Sequence, residues 1–189
     1  MKAENVYEIC PRFENEEYVL RYVEKEDSSD LLKVYSDLKS VEIFNSDNCG
    51  GDNFYYQTEQ KMNEVIDYWH WEYERKGFVR WSIIDKFNGY VVGTIELFKR
   101  NADDYFTNCG LLRLDLRSDY EREGCITNIL SLIIDATYEM FSCDKIATKA
   151  VEKAVERIEA LKKLGFALND KKLIGHNGEL FSDYYVKIK

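Results

Sequence analysis

The run Leu111-Leu112-Arg113-Leu114-Asp115-Leu116, the polar segment Arg117 to Glu123, Gly124, and then Ile126, Ile129, Leu130, Ile133, Ile134, Thr137, Tyr138 and Phe141 form the stretch that decides the fold. The first six residues read as a strand. The later set keeps to one helical face, so a single long amphipathic helix is expected from Ile126 to Phe141. Between them stands a glycine turn. A chain that leaves a strand and enters a helix there points several unpaired backbone N–H groups at one spot, where the helix dipole also favours anions.

Working outward, Lys145 to Ala150 reads as a short strand and Val155 to Leu164 as a helix closed by Gly165. Ala167 to Leu173 and Leu180 to Ile188 read as a final hairpin around Gly175, Asn177 and Gly178. Upstream, Val79, Trp81 and Ile83 alternate with Arg80 and Ser82, and Asn88-Gly89 then leads into Tyr90 to Lys99. Asn-Gly between two such runs marks a hairpin. Nearer the start, Tyr18 to Val23 is a strand, Glu26, Asp27 and Ser28 supply capping groups, and Leu31, Val34, Tyr35 and Leu38 form a helical stripe. Asn45 to Asn53 is expected to be an exposed, mobile loop. Met62, Val65, Ile66, Trp69 and Tyr73 then mark another helix, with Gly77 at the expected C-cap. The order is β-α-α-β-β-β-α-β-α-β-β.

With 189 residues, 45% of them hydrophobic and 14% aromatic, one domain over residues 1–189 is expected. No apolar signal core or membrane-length run is present, so the chain is expected to be cytoplasmic, without a membrane partner. The cysteines Cys10, Cys49, Cys109, Cys125 and Cys143 are odd in number and scattered. Neither a disulfide framework nor a metal site follows from them. A net charge of −9 sets the chain against the phosphate backbone of nucleic acid, which is expected not to be a partner.

In this order the hairpin, strand, glycine turn, long helix, strand and final helix resemble the GNAT superfamily of acyl-CoA N-acyltransferases, closest to its ribosomal-protein-alanine N-acetyltransferase branch. The residues that carry the resemblance are Val92-Gly93-Thr94-Ile95, Gly124, Lys145-Ile146-Ala147-Thr148 and Leu164-Gly165-Phe166. It implies an α/β (α+β) fold with a mixed, mostly antiparallel central sheet flanked by helices. It further implies transfer of an acetyl group from acetyl-CoA, as cosubstrate and without a metal, to a small-molecule amine or a protein N-terminus, by a monomer or homodimer. In the family the loop reads Gln/Arg-x-x-Gly-x-Gly/Ala, and its amides cradle the pyrophosphate of coenzyme A. By position the coenzyme-binding residues are then Leu116, Arg122, Glu123, Gly124, Cys125, Ile126 and Thr127. Glu121 departs from the usual Gln or Arg and is expected to repel phosphate, and Ile126 departs from a small residue. The family's Asn and Ser of the last helix fall on Ala154 and Arg157, and its acid tyrosine falls on Leu161. A second function class follows from these departures: a GNAT-like fold that has lost or changed coenzyme use and binds a ligand or partner.

Attack on a thioester needs a neutral amine and a group to take its proton. Glu96 and Asp115 are the candidate catalytic carboxylates by position; the alternative for each is a cross-strand ion pair with Arg113 or Arg80. Arg122 faces a similar choice between a coenzyme phosphate and its neighbours Glu121 and Glu123. Phe54, Tyr55, Tyr56, Trp69, Trp71 and Tyr73 are candidates to line an acceptor pocket. Tyr138, Tyr184 and Tyr185 are the candidate acids, and His70 and His176 are expected to be structural or surface groups.

Overall fold

The computed structural model describes residues 5–189. It opens with two strands, β1 (Phe13–Glu14) and β2 (Tyr18–Tyr22), followed by α1 (Ser28–Tyr35), the one-turn α2 (Leu38–Val41) and α3 (Glu59–Glu74). Strands β3 (Val79–Asp85), β4 (Val91–Arg100) and β5 (Cys109–Leu116) come next, then α4 (Glu123–Leu130), α5 (Ile134–Met140), β6 (Lys145–Lys149) and α6 (Val155–Lys163). The chain ends with β7 (Ala167–Leu168), β8 (Leu173–Ile174), β9 (Leu180–Phe181) and β10 (Tyr184–Ile188). One sheet runs in the order β1-β2-β3-β4-β5-β6-β10-β7, and β8 with β9 forms a separate ribbon. Every neighbouring pair in the large sheet is antiparallel except β5 and β6. The mixed, mostly antiparallel sheet flanked by helices is therefore as expected.

Strand alternation gives the two faces of the sheet opposite characters. Trp81, Ile83, Ile95, Leu97, Leu112, Leu114 and Leu116 pack with Ile126, Ile129, Ile133, Ile134 and Leu161 of the α4 to α6 layer in one apolar core. The intervening residues include Arg80, Ser82, Thr94, Glu96 and Asp115, and all five are buried. Over that polar face lie α1 and α3, whose Leu31, Val34, Tyr35, Met62, Ile66 and Trp69 form a second apolar cluster.

Several local expectations are corrected. The single long helix is two, because Leu132 and Ile133 donate their amides three residues back to Ile129 and Leu130, a tighter turn than an α-helix allows. Ser131 Oγ also donates to the Thr127 carbonyl at 2.7 Å, a back-bond that bends helices. Both halves still bury the expected stripe. After α3 the left-handed position is taken by Lys76 (φ 63°) rather than Gly77. Gly77 is small for another reason: a Cβ there would lie 1.9 Å from Glu72 Oε2. The final hairpin is split, since β7 pairs with β10 while β8 pairs with β9. The loop at 45–53 is exposed as expected at Ser46 and from Gly50 to Asn53, but Asp47 pins its first half to the sheet through Lys149 at 2.9 Å.

Gly93 shows how tightly β4 and β5 are drawn together: a Cβ on it would lie 2.2 Å from the Asp115 carbonyl oxygen. That oxygen is backbone and cannot turn aside. Gly93→Ala is expected to lower stability by about 1–3 kcal/mol, read as a lower urea midpoint at unchanged slope.

Candidate active site

Two rows of polar side chains cross the covered face of the sheet. In register, Arg80 stands opposite Glu96 and Glu96 opposite Arg113; one step along, Ser82 stands opposite Thr94 and Thr94 opposite Asp115. Arg80 joins the rows. Its guanidinium pairs with Glu96 through Nη2 and with Asp115 Oδ2 through Nη1 at 3.1 Å. It also lies 4.1 Å from the ring centre of Trp69, a cation–π geometry. Tyr35 donates its hydroxyl to Asp115 Oδ2 at 2.7 Å. Burial opposes the charge on Arg80, but the field of Glu96, Tyr35 and Asp115 outweighs it and pushes the guanidinium up. Burial and then Asp115 raise the Tyr35 phenol well above its ordinary range. Two buried atoms of this network, Arg80 Nε and Asp115 Oδ1, have no partner among the described residues.

Glu96 is held from its other side by Arg113, whose Nε lies 3.5 Å from Oε1. Arg113 in turn donates to Cys49 Sγ and to the Asp47 carbonyl, each at 2.8 Å. Burial raises the Cys49 thiol even with Arg113 beside it. This row forms part of the wall of a cavity of about 770 Å³. The 45–54 loop, the C-terminal end of α3, the Arg100 to Asp104 turn, the 173–176 segment and Tyr184 close the rest of it.

The cavity meets a gap in the sheet. Strands β5 and β6 pair in parallel from Cys109↔Lys145 to Leu112↔Thr148 and no further, and both Leu112 and Arg113 line the cavity. Beyond that point no strand among the described residues pairs with Leu114 on the β6 side. Its carbonyl accepts a 2.8 Å bond from Arg157 Nη1 of α6, and the same guanidinium pairs with Glu121 through Nη2 and Nε. The two side chains are 3% and 7% exposed.

At the far end of the gap, α4 begins with Arg122 as its N-cap residue. The Glu123 amide donates to Glu156 Oε2 at 2.8 Å. The amides of Gly124 and Cys125 have no partner among the described residues, and a Cβ on Gly124 would meet nothing within 4 Å. Among the described residues no group of His, Cys, Asp or Glu side chains is placed to hold a metal, and no helix is long and apolar enough to cross a membrane.

Residues 18–167 match the model of the acetyltransferase (GNAT) domain. The chain belongs to the GNAT acetyltransferase family. Among proteins of curated function the sequence matches none. Solved structures share the fold at low identity. The ribosomal-protein-S5-alanine acetyltransferase of Vibrio fischeri has a TM-score of 0.69 at 16% identity, over 94% of this chain and 96% of that one. The microcin C7 self-immunity acetyltransferase MccE, solved with acetyl-CoA and AMP, has a TM-score of 0.69 at 14% identity, over 93% and 94%. RimL, the ribosomal L7/L12 α-N-protein acetyltransferase solved with coenzyme A, has a TM-score of 0.67 at 10% identity, over 92% and 95%.

Set against this GNAT frame, the sequence-predicted residues divide. Glu96 and Asp115 share Arg80, so the cross-strand ion pairs expected as the alternative are formed; only Glu96 lines the cavity. Of the aromatic set, Phe54 and Trp69 line it, joined by Tyr68, Phe78 and Phe98, while Tyr55, Tyr56, Trp71 and Tyr73 do not. Tyr184 reaches the cavity, whereas Tyr138 hydrogen-bonds the Lys187 carbonyl and Tyr185 joins the apolar core. His70 bonds the Val23 carbonyl at 2.9 Å, and His176 is on the cavity wall. Arg122 neutralises neither neighbour, because Glu121 pairs with Arg157 and Glu123 with Lys163. Leu116 and Ile126 are fully buried in the core.

The coenzyme's two ends fare differently against these residues. Free amides and open space at Gly124 and Cys125 suit an anion. Between there and the cavity, along the gap between β5 and β6, stands Arg157, bonded to the Leu114 carbonyl and to Glu121. Arg157 stood out in the sequence only as a departure from the family's serine; its pairing with Glu121, 36 residues away, was not anticipated. The signal available was that two charges of opposite sign had replaced uncharged or basic residues together.

Arg80 is the structural pin of the site. Arg80→Leu leaves Asp115 a buried charge without a cation and Glu96 with Arg113 alone, and is expected to cost about 3–5 kcal/mol, measured by urea unfolding.

Proposed function

We propose that this chain transfers an acyl group, acetyl in the first instance, from a coenzyme A thioester to an amine by direct attack in a ternary complex. The observation that carries the reading is the cavity opening onto the β5–β6 gap at Leu112 and Arg113, with free helix amides at the gap's other end. Acceptor and acyl donor would enter from opposite sides and meet at Arg113. Holding both in place contributes much of such a reaction's acceleration.

The cavity favours a cation. Of its carboxylates, Asp47, Glu72, Glu96 and Asp104 have basic partners, whereas Asp52 and Asp103 have none among the described residues. The faces of Phe54, Tyr68, Phe78 and Phe98 add a surface suited to an ammonium group. A small-molecule amine or a protein N-terminus, arriving protonated, matches this chemistry. The amine must shed a proton before it attacks, and Glu96 is the carboxylate on the wall that would take it. Tyr184, kept protonated by burial and by Asp47, would return one to the leaving thiolate. Asp115 acts only through Arg80, as a positioning residue.

A second reading, a GNAT fold turned to ligand or partner binding, is supported by the guanidinium of Arg157 in the gap. Thermal unfolding with a panel of acyl-CoA thioesters separates the two, since a ligand bound only by the folded state raises its stability. Acetyl-CoA or another thioester is expected to raise the Tm, and Glu96→Gln to cut turnover of an amine acceptor by about 10²-fold with coenzyme affinity held. No shift with any thioester at millimolar concentration would remove the enzyme reading.

A further inference from the structure

Leu114 is the residue at which the sheet stops serving itself. Its carbonyl lies past the last β5–β6 pair, in the gap, and a buried carbonyl needs a donor. Arg157 supplies it at 2.8 Å. The guanidinium is itself buried, and its charge is met by a two-point pair with Glu121 from the turn before α4. One side chain thereby fills the gap, satisfies the strand and neutralises the loop. Beside it, Glu156 holds the Glu123 amide, and Lys163 and Lys162 pair with Glu123 and Glu159. The charged side chains around the mouth of the gap are thus paired with one another.

Resting on the acyl-CoA reading above, we propose that the Arg157–Glu121 pair is a built-in competitor for the arm of the coenzyme. The arm enters only when Arg157 leaves the Leu114 carbonyl. At Gly124 and Cys125 a phosphate displaces no hydrogen bond among the described residues, and at Glu123 it would displace Glu156 rather than Arg157. The pair therefore acts on ligands that carry an arm and not on ligands that end at the pyrophosphate.

This difference supplies the test. Acetyl-CoA and 3′-phosphoadenosine 5′-diphosphate, which has the pyrophosphate without the arm, are titrated by calorimetry into the wild type and the double variant Glu121→Gln/Arg157→Ala. The double change removes one charge of each sign, so net charge is constant and a general electrostatic effect moves both ligands together. The expected result is an acetyl-CoA affinity raised at least tenfold in the double variant, with the arm-less ligand within twofold of wild type. Acetyl-CoA binding to the double variant alone supports the competitor in its strongest form, while removing coenzyme use by the wild type. Equal acetyl-CoA affinity in both proteins overturns the competitor and leaves the acyl-CoA reading standing. Failure of both ligands on both proteins overturns the two together. Should the alanine variant melt below the assay temperature, Glu121→Gln/Arg157→Ser carries the same comparison under the same outcomes.

Discussion

The buried guanidinium of Arg80 is the interaction on which the rest of the site depends. A sheet with one apolar and one polar face usually leaves the polar face in water. Here α1 and α3 cover it, so Arg80, Glu96 and Asp115 must satisfy one another away from solvent. Such an arrangement adds little net stability compared with an apolar core, because desolvation offsets most of the attraction. Its consequence is positional. Arg80 fixes Glu96 toward the cavity and Asp115 away from it, and Tyr35 on α1 reports to the same carboxylate. Moving any one of them would leave a charge unmatched, so the wall of the cavity is set as a unit.

The architecture was legible in the sequence because it rests on period and punctuation. Alternation at Val79 to Ile83, the Asn88-Gly89 turn and the stripe on α3 depend only on neighbours within a few residues, and each appears where expected. The break between α4 and α5 was not visible, since its apolar positions continue the helical period unbroken. What interrupts it is a hydroxyl back-bond and two short-range amide bonds at Ser131 to Ile133, which hydrophobic pattern does not encode. The split of the last hairpin was hidden for a different reason. The partner of β7 is chosen by the sheet edge offered by β10, and β8 and β9 are left to pair over the cavity.

The site was legible only in part, along the same divide. Cross-strand register follows from the hairpin, so Glu96 beside Arg80 and Arg113 could be anticipated from spacing. Which of Glu96 and Asp115 faces open space could not, because both lie on one face: Asp115 is bonded by Tyr35 of α1, whereas Glu96 lines the cavity with the 45–54 loop. The aromatic wall was half misread. Trp71 lies on the outer side of α3, stacked by Arg75 at 4.5 Å, whereas Tyr68 and Phe78 lie on the cavity side.

Glu121 and Arg157 teach the most about reading departures from a family pattern. Taken one at a time, an acidic residue before a phosphate-binding turn and an arginine in place of a small polar residue both weigh against coenzyme binding. Together they form one neutral, buried unit. The repulsion expected from Glu121 is largely cancelled by its partner, since opposite charges in contact present little field at a distance. What the exchange changes is not the charge at the loop but the occupancy of the gap. A splayed sheet must find donors for the carbonyls it exposes, and they come either from a ligand or from the protein. In this chain Arg157 gives the protein's own answer at Leu114. Binding of any extended ligand there is thus an exchange of hydrogen-bond partners rather than the filling of a void.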